Sequence, residues 1–234
     1  MIPRHELAGL ILAGGQGRRM QGSGNRVEKG LLPLGGAPLA QHAGAFLAPW
    51  VQRVYVSANR CRAEYARYGE WVPDDPLLGE QAGPLAGVAS ALARSPLPWM
   101  LVAPVDVPFL PDDLAPRLGQ AVRDGARLAY ARAGGRAHPL CMLAHRSLLE
   151  DLRSYLQSGG RKVMDWHARH GARTVDYAQA PGDAGAAAAA SGAVPGMAAP
   201  DAAAPDPFSN INTPEDLVRA ELRWNTARAD DAGA

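Results

Sequence analysis

Short apolar runs alternate with helix-patterned segments through the first 177 residues, and that alternation restricts the chain to a sheet covered by crossover helices. Strands are expected at 7–13, 53–57, 70–73, 99–105, 127–132, 139–144 and 173–177, where apolar or alternating residues stand between turn formers. Helices are expected at 38–50, 60–67, 84–94, 111–123, 147–157 and 162–169, the third opening on Pro84 at a first-turn position. The strands at 127–132 and 139–144 have no helix between them. The expected fold is therefore α/β, with a mostly parallel sheet, an antiparallel insertion and helices on both faces.

A chain of 234 residues with 47% hydrophobic side chains can fill the core of one large domain. Residues 178–207 cannot contribute to it. Fourteen of these thirty are alanine, and five prolines and four glycines interrupt any helix, so the segment reads as a disordered linker. Beyond it, Thr213-Pro214-Glu215-Asp216 supplies an N-cap, a proline at the first helical position and an acid at the third. The organisation expected is a domain over 1–177, the linker, a segment and helix over 208–226 that dock back, and a polar tail over 227–234.

Charge and composition narrow the partners. Twenty-four Lys and Arg against 23 Asp and Glu leave a net charge of +1, too little to hold nucleic acid or an acidic membrane through a bulk field. Aromatics at 6% argue against a base-stacking platform. Two cysteines, Cys61 and Cys141, form neither a disulfide framework nor a metal spacing, which fits a reducing cytoplasm. No apolar run reaches the length of a membrane span, and the polar first six residues do not read as a signal peptide.

An anionic ligand must then be held locally, and three constellations offer themselves. The strand ending at Leu12-Ala13 runs into Gly14, Gly15 and Gly17, with Arg18, Arg19, Arg26 and Lys29 following. Such a loop turns successive backbone N–H groups toward an anion and adds cations of its own. It lacks the Gly-Lys-Ser/Thr of a Walker loop and the third glycine of a dinucleotide fingerprint. Lys29 is one of only two lysines, so a compact ammonium stands where the composition would favour arginine. The second constellation is Asp106, a lone carboxylate at the carboxyl end of an apolar strand. One carboxylate with triphosphate oxygens and water is a usual magnesium arrangement. The third is Asp74-Asp75-Pro76 followed by Gly83-Pro84-Leu85-Ala86-Gly87, which on its own reads as a turn. His167 and His170 stand three apart on an expected helix with no third ligand, and a solvated face is the expectation there.

Taken in order, Leu-Ala-Gly-Gly-x-Gly-Arg-Arg-Met, Glu-Lys-Gly-Leu, Gly-Pro-Leu-Ala-Gly, Val-Asp-Val-Pro-Phe-Leu and Phe-Ser-Asn-Ile-Asn-Thr-Pro-Glu-Asp-Leu resemble the molybdenum cofactor guanylyltransferases, nucleotidyltransferases of Rossmann-like fold. The resemblance spans residues 7–222. It implies transfer of GMP from GTP to the terminal phosphate of molybdenum-molybdopterin, with release of pyrophosphate and with Mg2+ as cofactor. It implies that Leu12, Ala13, Gly14 and Gly15 face guanine and phosphate, that Lys29 meets the triphosphate, that Asp75 contacts nucleotide and that Asp106 binds the metal. Ser57 stands where the family often has an asparagine contact, and a hydroxyl replaces only part of an amide's bonding. Arg136, His138, Asn210 and Asn212 resemble positions toward the pterin. Lys29, Asp106 and Arg19 are the expected catalytic groups. The acceptor phosphate is already ionised near pH 7, so positioning and charge neutralisation suffice without a general base. A cytidylyltransferase for the same cofactor, a sugar- or alcohol-phosphate nucleotidyltransferase, and a non-catalytic nucleotide-binding partner of molybdoenzymes are the alternatives. Molybdoenzymes or their chaperones would receive the product.

Overall fold

A computed structural model of the protein describes residues 1–14, 28–79, 82–177 and 206–232. Gly15, Arg18, Arg19 and Arg26, and residues 178–205 of the linker expected over 178–207, lie outside the described residues. The strands are β1 (Leu7–Leu12), β2 (Pro33–Leu34), β3 (Ala37–Pro38), β4 (Arg53–Ser57), β5 (Glu70–Val72), β6 (Trp99–Pro104), β7 (Leu128–Ala133), β8 (Arg136–His145) and β9 (Arg173–Tyr177). The helices are α1 (Leu39–Leu47), α2 (Arg62–Tyr65), α3 (Pro84–Arg94), α4 (Leu114–Ala121), α5 (Leu149–Gln157), α6 (Val163–Arg169) and α7 (Pro214–Ala232).

Seven strands form one sheet in the order β5-β4-β1-β6-β8-β7-β9. The run β5-β4-β1-β6 is parallel, β8 lies antiparallel to both β6 and β7, and β9 returns parallel to β7 at the edge. This is the mostly parallel sheet with an antiparallel insertion that the alternation implied. β8 begins three residues earlier than expected, because the register shifts between Tyr130 and Ala131 and leaves Pro139 to Cys141 unpaired. Proline has no N–H to give a ladder, so it is tolerated in such a bulge.

Side chains alternate along the central strands and build two cores. Leu7, Ile11, Leu101 and Ala103 point to the layer holding α1, α4 and α7, whereas Leu10, Leu12, Met100 and Val102 point to the layer holding α3, α5 and α6. The small hairpin β2–β3 was not expected. Its signal was the Gly35-Gly36 pair between two short apolar pairs: both glycines adopt positive φ, 58° and 81°, which a two-residue hairpin turn requires.

The C-terminal helix starts as expected. Asp216 N–H donates to Thr213 Oγ1 at 3.2 Å, and Asp216 Oδ2 accepts from Thr213 N–H at 2.8 Å, a reciprocal cap. It then continues through 227–232, where a polar tail was expected, because Ala227, Arg228 and Ala229 are all good helix formers.

His167 corrects another expectation. Its face is not solvated: the ring is 1% exposed, packed against Tyr130 and Trp166, while His170 binds Asp151 at 2.7 Å. Burial, helped by His170, pushes the His167 pKa down to about 4. Unfolded histidine protonates near 6.5, so between those values the unfolded chain takes up a proton that the folded chain refuses. The contribution is full above pH 6.5 and is lost as pH falls toward 4, by about 2 kcal/mol between pH 7 and pH 5 for this group. The His167→Leu variant should therefore lose less stability than wild type over that interval. Urea midpoints at the two pH values check this, and an unchanged loss would remove His167 as its source.

Candidate functional site

β4 lies on one side of β1 and β6 on the other, so the chain reverses its direction of sheet growth at β1. Open α/β sheets bind ligands in the crevice above such a reversal, at the carboxyl ends of the strands. Two further bonds tie the strand ends there: Ala13 N–H donates to Ser57 O at 2.9 Å, and Val105 N–H donates to Leu12 O at 3.2 Å. Leu12 and Ala13 are thus buried with these backbone groups paired, whereas Gly14 is exposed at the opening. Ser57 is 1% exposed, and its hydroxyl packs against α3 so closely that Gly87 has no room for a side chain.

The strongest feature joins three distant segments. Lys29 begins a single 3-10 turn, Lys29–Leu31, and its ammonium lies 3.3 Å from Asp106 Oδ2 and 2.8 Å from Asn212 Oδ1. Asp106 leaves β6 with its carboxylate 27% exposed, and its backbone carbonyl accepts from Ile211 N–H at 2.8 Å. Glu28, next to Lys29, is pinned by Arg60 at 2.6 Å. The C-terminal segment therefore crosses the strand ends and closes on the lysine from the far side.

Beside this cluster opens a cavity of about 220 Å³ lined by Asp106, Arg136, His138 and Asn210, with Cys141 below. His138 stacks on Phe208 at 4.8 Å, and burial lowers its pKa, which favours the neutral ring. The fully buried Cys141 thiol is pushed up by desolvation first and by Asp106 and Asp206 next, so it stays protonated. The structure thus brings together Lys29, Asp106, Arg136, His138, Asn210 and Asn212. It separates the two asparagines: Asn212 holds the lysine, whereas Asn210 lines both this cavity and one beneath α7.

Asp75 stands apart from these groups. Its Oδ1 accepts from Leu77 N–H at 2.9 Å and caps a short turn, and its own N–H donates to Ser90 Oγ at 2.9 Å. The preceding loop is fastened by Asn59, which donates to Asp74 Oδ2 at 2.8 Å and accepts from Asp74 N–H at 2.9 Å. Sequence reasoning missed Asn59, although its amide stands directly after the strand end Ser57-Ala58. It also missed Phe208, whose signal was its place as one of only three phenylalanines, within the terminal motif.

A second cavity of equal volume lies beneath α7, lined by Phe109, Asp206, Asp216, Arg219 and Arg223. Its cations are already engaged, Arg219 with Asp216 and Arg223 with the Asp206 carbonyl and the Phe109 ring. Among the described residues no three His, Cys, Asp or Glu side chains gather as a metal site, and no helix is long and apolar enough to cross a membrane.

Residues 9–173 match the MobA-like NTP transferase domain. The chain is 43% identical over 180 residues to a molybdenum cofactor guanylyltransferase of Ralstonia nicotianae, covering 73% of this chain and 86% of that relative. It is 39% identical over 229 residues to one of Cupriavidus taiwanensis, covering 95% and 100%. In fold it is similar to molybdopterin-guanine dinucleotide biosynthesis protein A of Archaeoglobus fulgidus, with a TM-score of 0.64 at 21% identity over 94% of this chain and 98% of that one. A nucleotidyl transferase of Methanothermobacter gives a TM-score of 0.65 at 17% identity, over 94% and 98%.

Proposed function

The chain belongs to the molybdenum cofactor guanylyltransferase family of MobA-like NTP transferases, and from that premise we propose that it transfers GMP from GTP to the terminal phosphate of molybdenum-molybdopterin. An oxygen of that phosphate bonds to the α-phosphorus of GTP. The bond from the α-phosphorus to the bridging oxygen breaks, and its electron pair leaves with pyrophosphate. The acceptor is ionised near neutrality, so the protein's work is to align the reactants and offset charge.

The observation that carries the reading is the meeting of Lys29 and Asp106 at the carboxyl ends of the parallel strands. In it, Lys29 stabilises the triphosphate and the leaving pyrophosphate as a point charge. By family membership, Leu12, Ala13, Gly14, Gly15, Ser57 and Asp75 are assigned to the guanine nucleotide and Arg19 to the phosphates. A carboxylate a quarter exposed, beside a cavity and with one oxygen turned to an ammonium, fits a magnesium ion that takes a single protein ligand. Asp106 would hold it; when bound, the ion supplies charge neutralisation on the phosphates. Arg136, His138 and Asn210 would meet the pterin substrate. The free thiols of Cys61 and Cys141 fit a cytoplasmic setting.

The test is pyrophosphate release from purified protein with Mg2+ and molybdopterin, GTP and CTP side by side. Turnover with CTP alone would overturn the guanine assignment. The hydrogen bond from Lys29 also divides the asparagines. Asn212→Ala should raise the GTP requirement about fivefold, roughly 1 kcal/mol. Asn210→Ala should leave GTP binding within about twofold and raise the molybdopterin requirement instead. Calorimetry with GTP beside a molybdopterin titration checks both, and the reverse pattern would exchange their roles.

A further inference from the structure

The segment that carries Lys29 is gripped a second time, six residues on, by side chains far along α7. Gly35 N–H donates to Glu221 Oε1 at 3.0 Å. The indole of Trp224 lies so close over Gly35 that any side chain there would overlap it, and Gly35 sits at φ 58°, where glycine is favoured. The same indole meets the His42 ring edge-on at 4.7 Å, and His42 Nε2 is 2.8 Å from Leu34 O. The hairpin β2–β3 has only two residues in each strand, too little to hold its place unaided. Its position against the rest of the protein depends on α1 below and on α7 above.

We propose that Glu221 and Trp224 are positioning residues for Lys29: by clasping the Gly35 turn they fix the short segment 29–34 and so set where the lysine ammonium stands over the strand ends. This rests on the reading of Lys29 as the triphosphate cation. The clasp and Asn212 act at two ends of one strap. Asn212 holds the ammonium directly, and Glu221 and Trp224 hold the chain that bears it. Neither clasp residue lines the cavity beside Asp106, so their effect on nucleotide must travel through the hairpin. The Trp224 indole N–H has no hydrogen-bond partner among the described residues, which makes ring packing its contribution.

The experiment measures GTP and GMP dissociation constants on the full chain. Lys29 is assigned to the triphosphate, so a displaced Lys29 weakens GTP and spares GMP, whereas general loosening weakens both. Glu221→Ala and Trp224→Ala should each weaken GTP about fivefold or more and leave GMP within about twofold. Glu221→Gln, which keeps an acceptor for the Gly35 N–H, and Trp224→Phe, which keeps a ring, should recover most of the loss. Leu222→Ala, on the exposed side of the same helix, should bind as wild type. If Trp224→Ala does not fold, the Glu221 pair carries the test. Equal weakening of GMP, or unchanged GTP binding in Glu221→Ala, overturns the proposal. Failure of wild type to bind GTP at all would instead overturn the nucleotide reading beneath it.

Discussion

Replacing Asp106 by alanine is expected to lower pyrophosphate release by about a thousandfold or more, a loss of roughly 4 kcal/mol in transition-state stabilisation. The fold should survive it. The carboxylate is 27% exposed, so water can take its place beside the Lys29 ammonium, which keeps its bond to Asn212. The bond that anchors the C-terminal segment uses the Asp106 carbonyl, which alanine retains. Asp106→Asn keeps the shape and loses the charge, so it should be nearly as inactive. Release assays across a magnesium range, beside urea midpoints, separate the two effects. Near wild-type rates in either variant would mean that the metal and the charge balance belong to other groups.

The parallel half of this fold is legible because each central strand is a short apolar run closed by a turn former, and the strand ends bring Leu12, Ser57 and Asp106 to one edge. Asp106 could be found for the same reason: a single carboxylate after Val102-Ala103-Pro104-Val105 has no core to join. The β2–β3 hairpin escaped notice because two-residue strands carry no periodicity, and only its paired glycines mark it. His167 was misread because a three-residue spacing between histidines says nothing about which way the helix turns. The neighbouring Trp166, fully buried, anchors that helix to the Tyr130 side of the sheet and takes His167 inward. The partner of Lys29 was least visible of all. Asn212 lies 183 residues away, beyond a low-complexity segment, and only tertiary docking brings it within 2.8 Å. Its neighbour Asn210, two residues earlier, lines the two cavities on either side of this segment instead.

Lys29→Ala should lower kcat/KM for GTP by about a hundredfold, near 2.7 kcal/mol, with both a raised GTP requirement and a slower rate. The ammonium side chain is 12% exposed, enclosed between Asp106 and Asn212. In the proposed role its removal would cost the triphosphate its point charge, and it leaves Asp106 without a neutralising neighbour, which would raise the repulsion between that carboxylate and incoming phosphates. Lys29→Arg should restore little. A guanidinium is planar and wider than an ammonium, and the space between a carboxylate 3.3 Å away and an amide 2.8 Å away is fitted to a compact head. Stability should change far less than activity. The strap keeps the Ile211 bond to the Asp106 carbonyl, the Phe208 stack on His138 and the Glu221 bond to Gly35. Initial rates over a GTP series, with thermal unfolding of the same preparations, test this. Full rescue by arginine would show that charge alone matters at this position, and a collapse of the melting temperature in Lys29→Ala would make the lysine a structural tie rather than a phosphate-binding group.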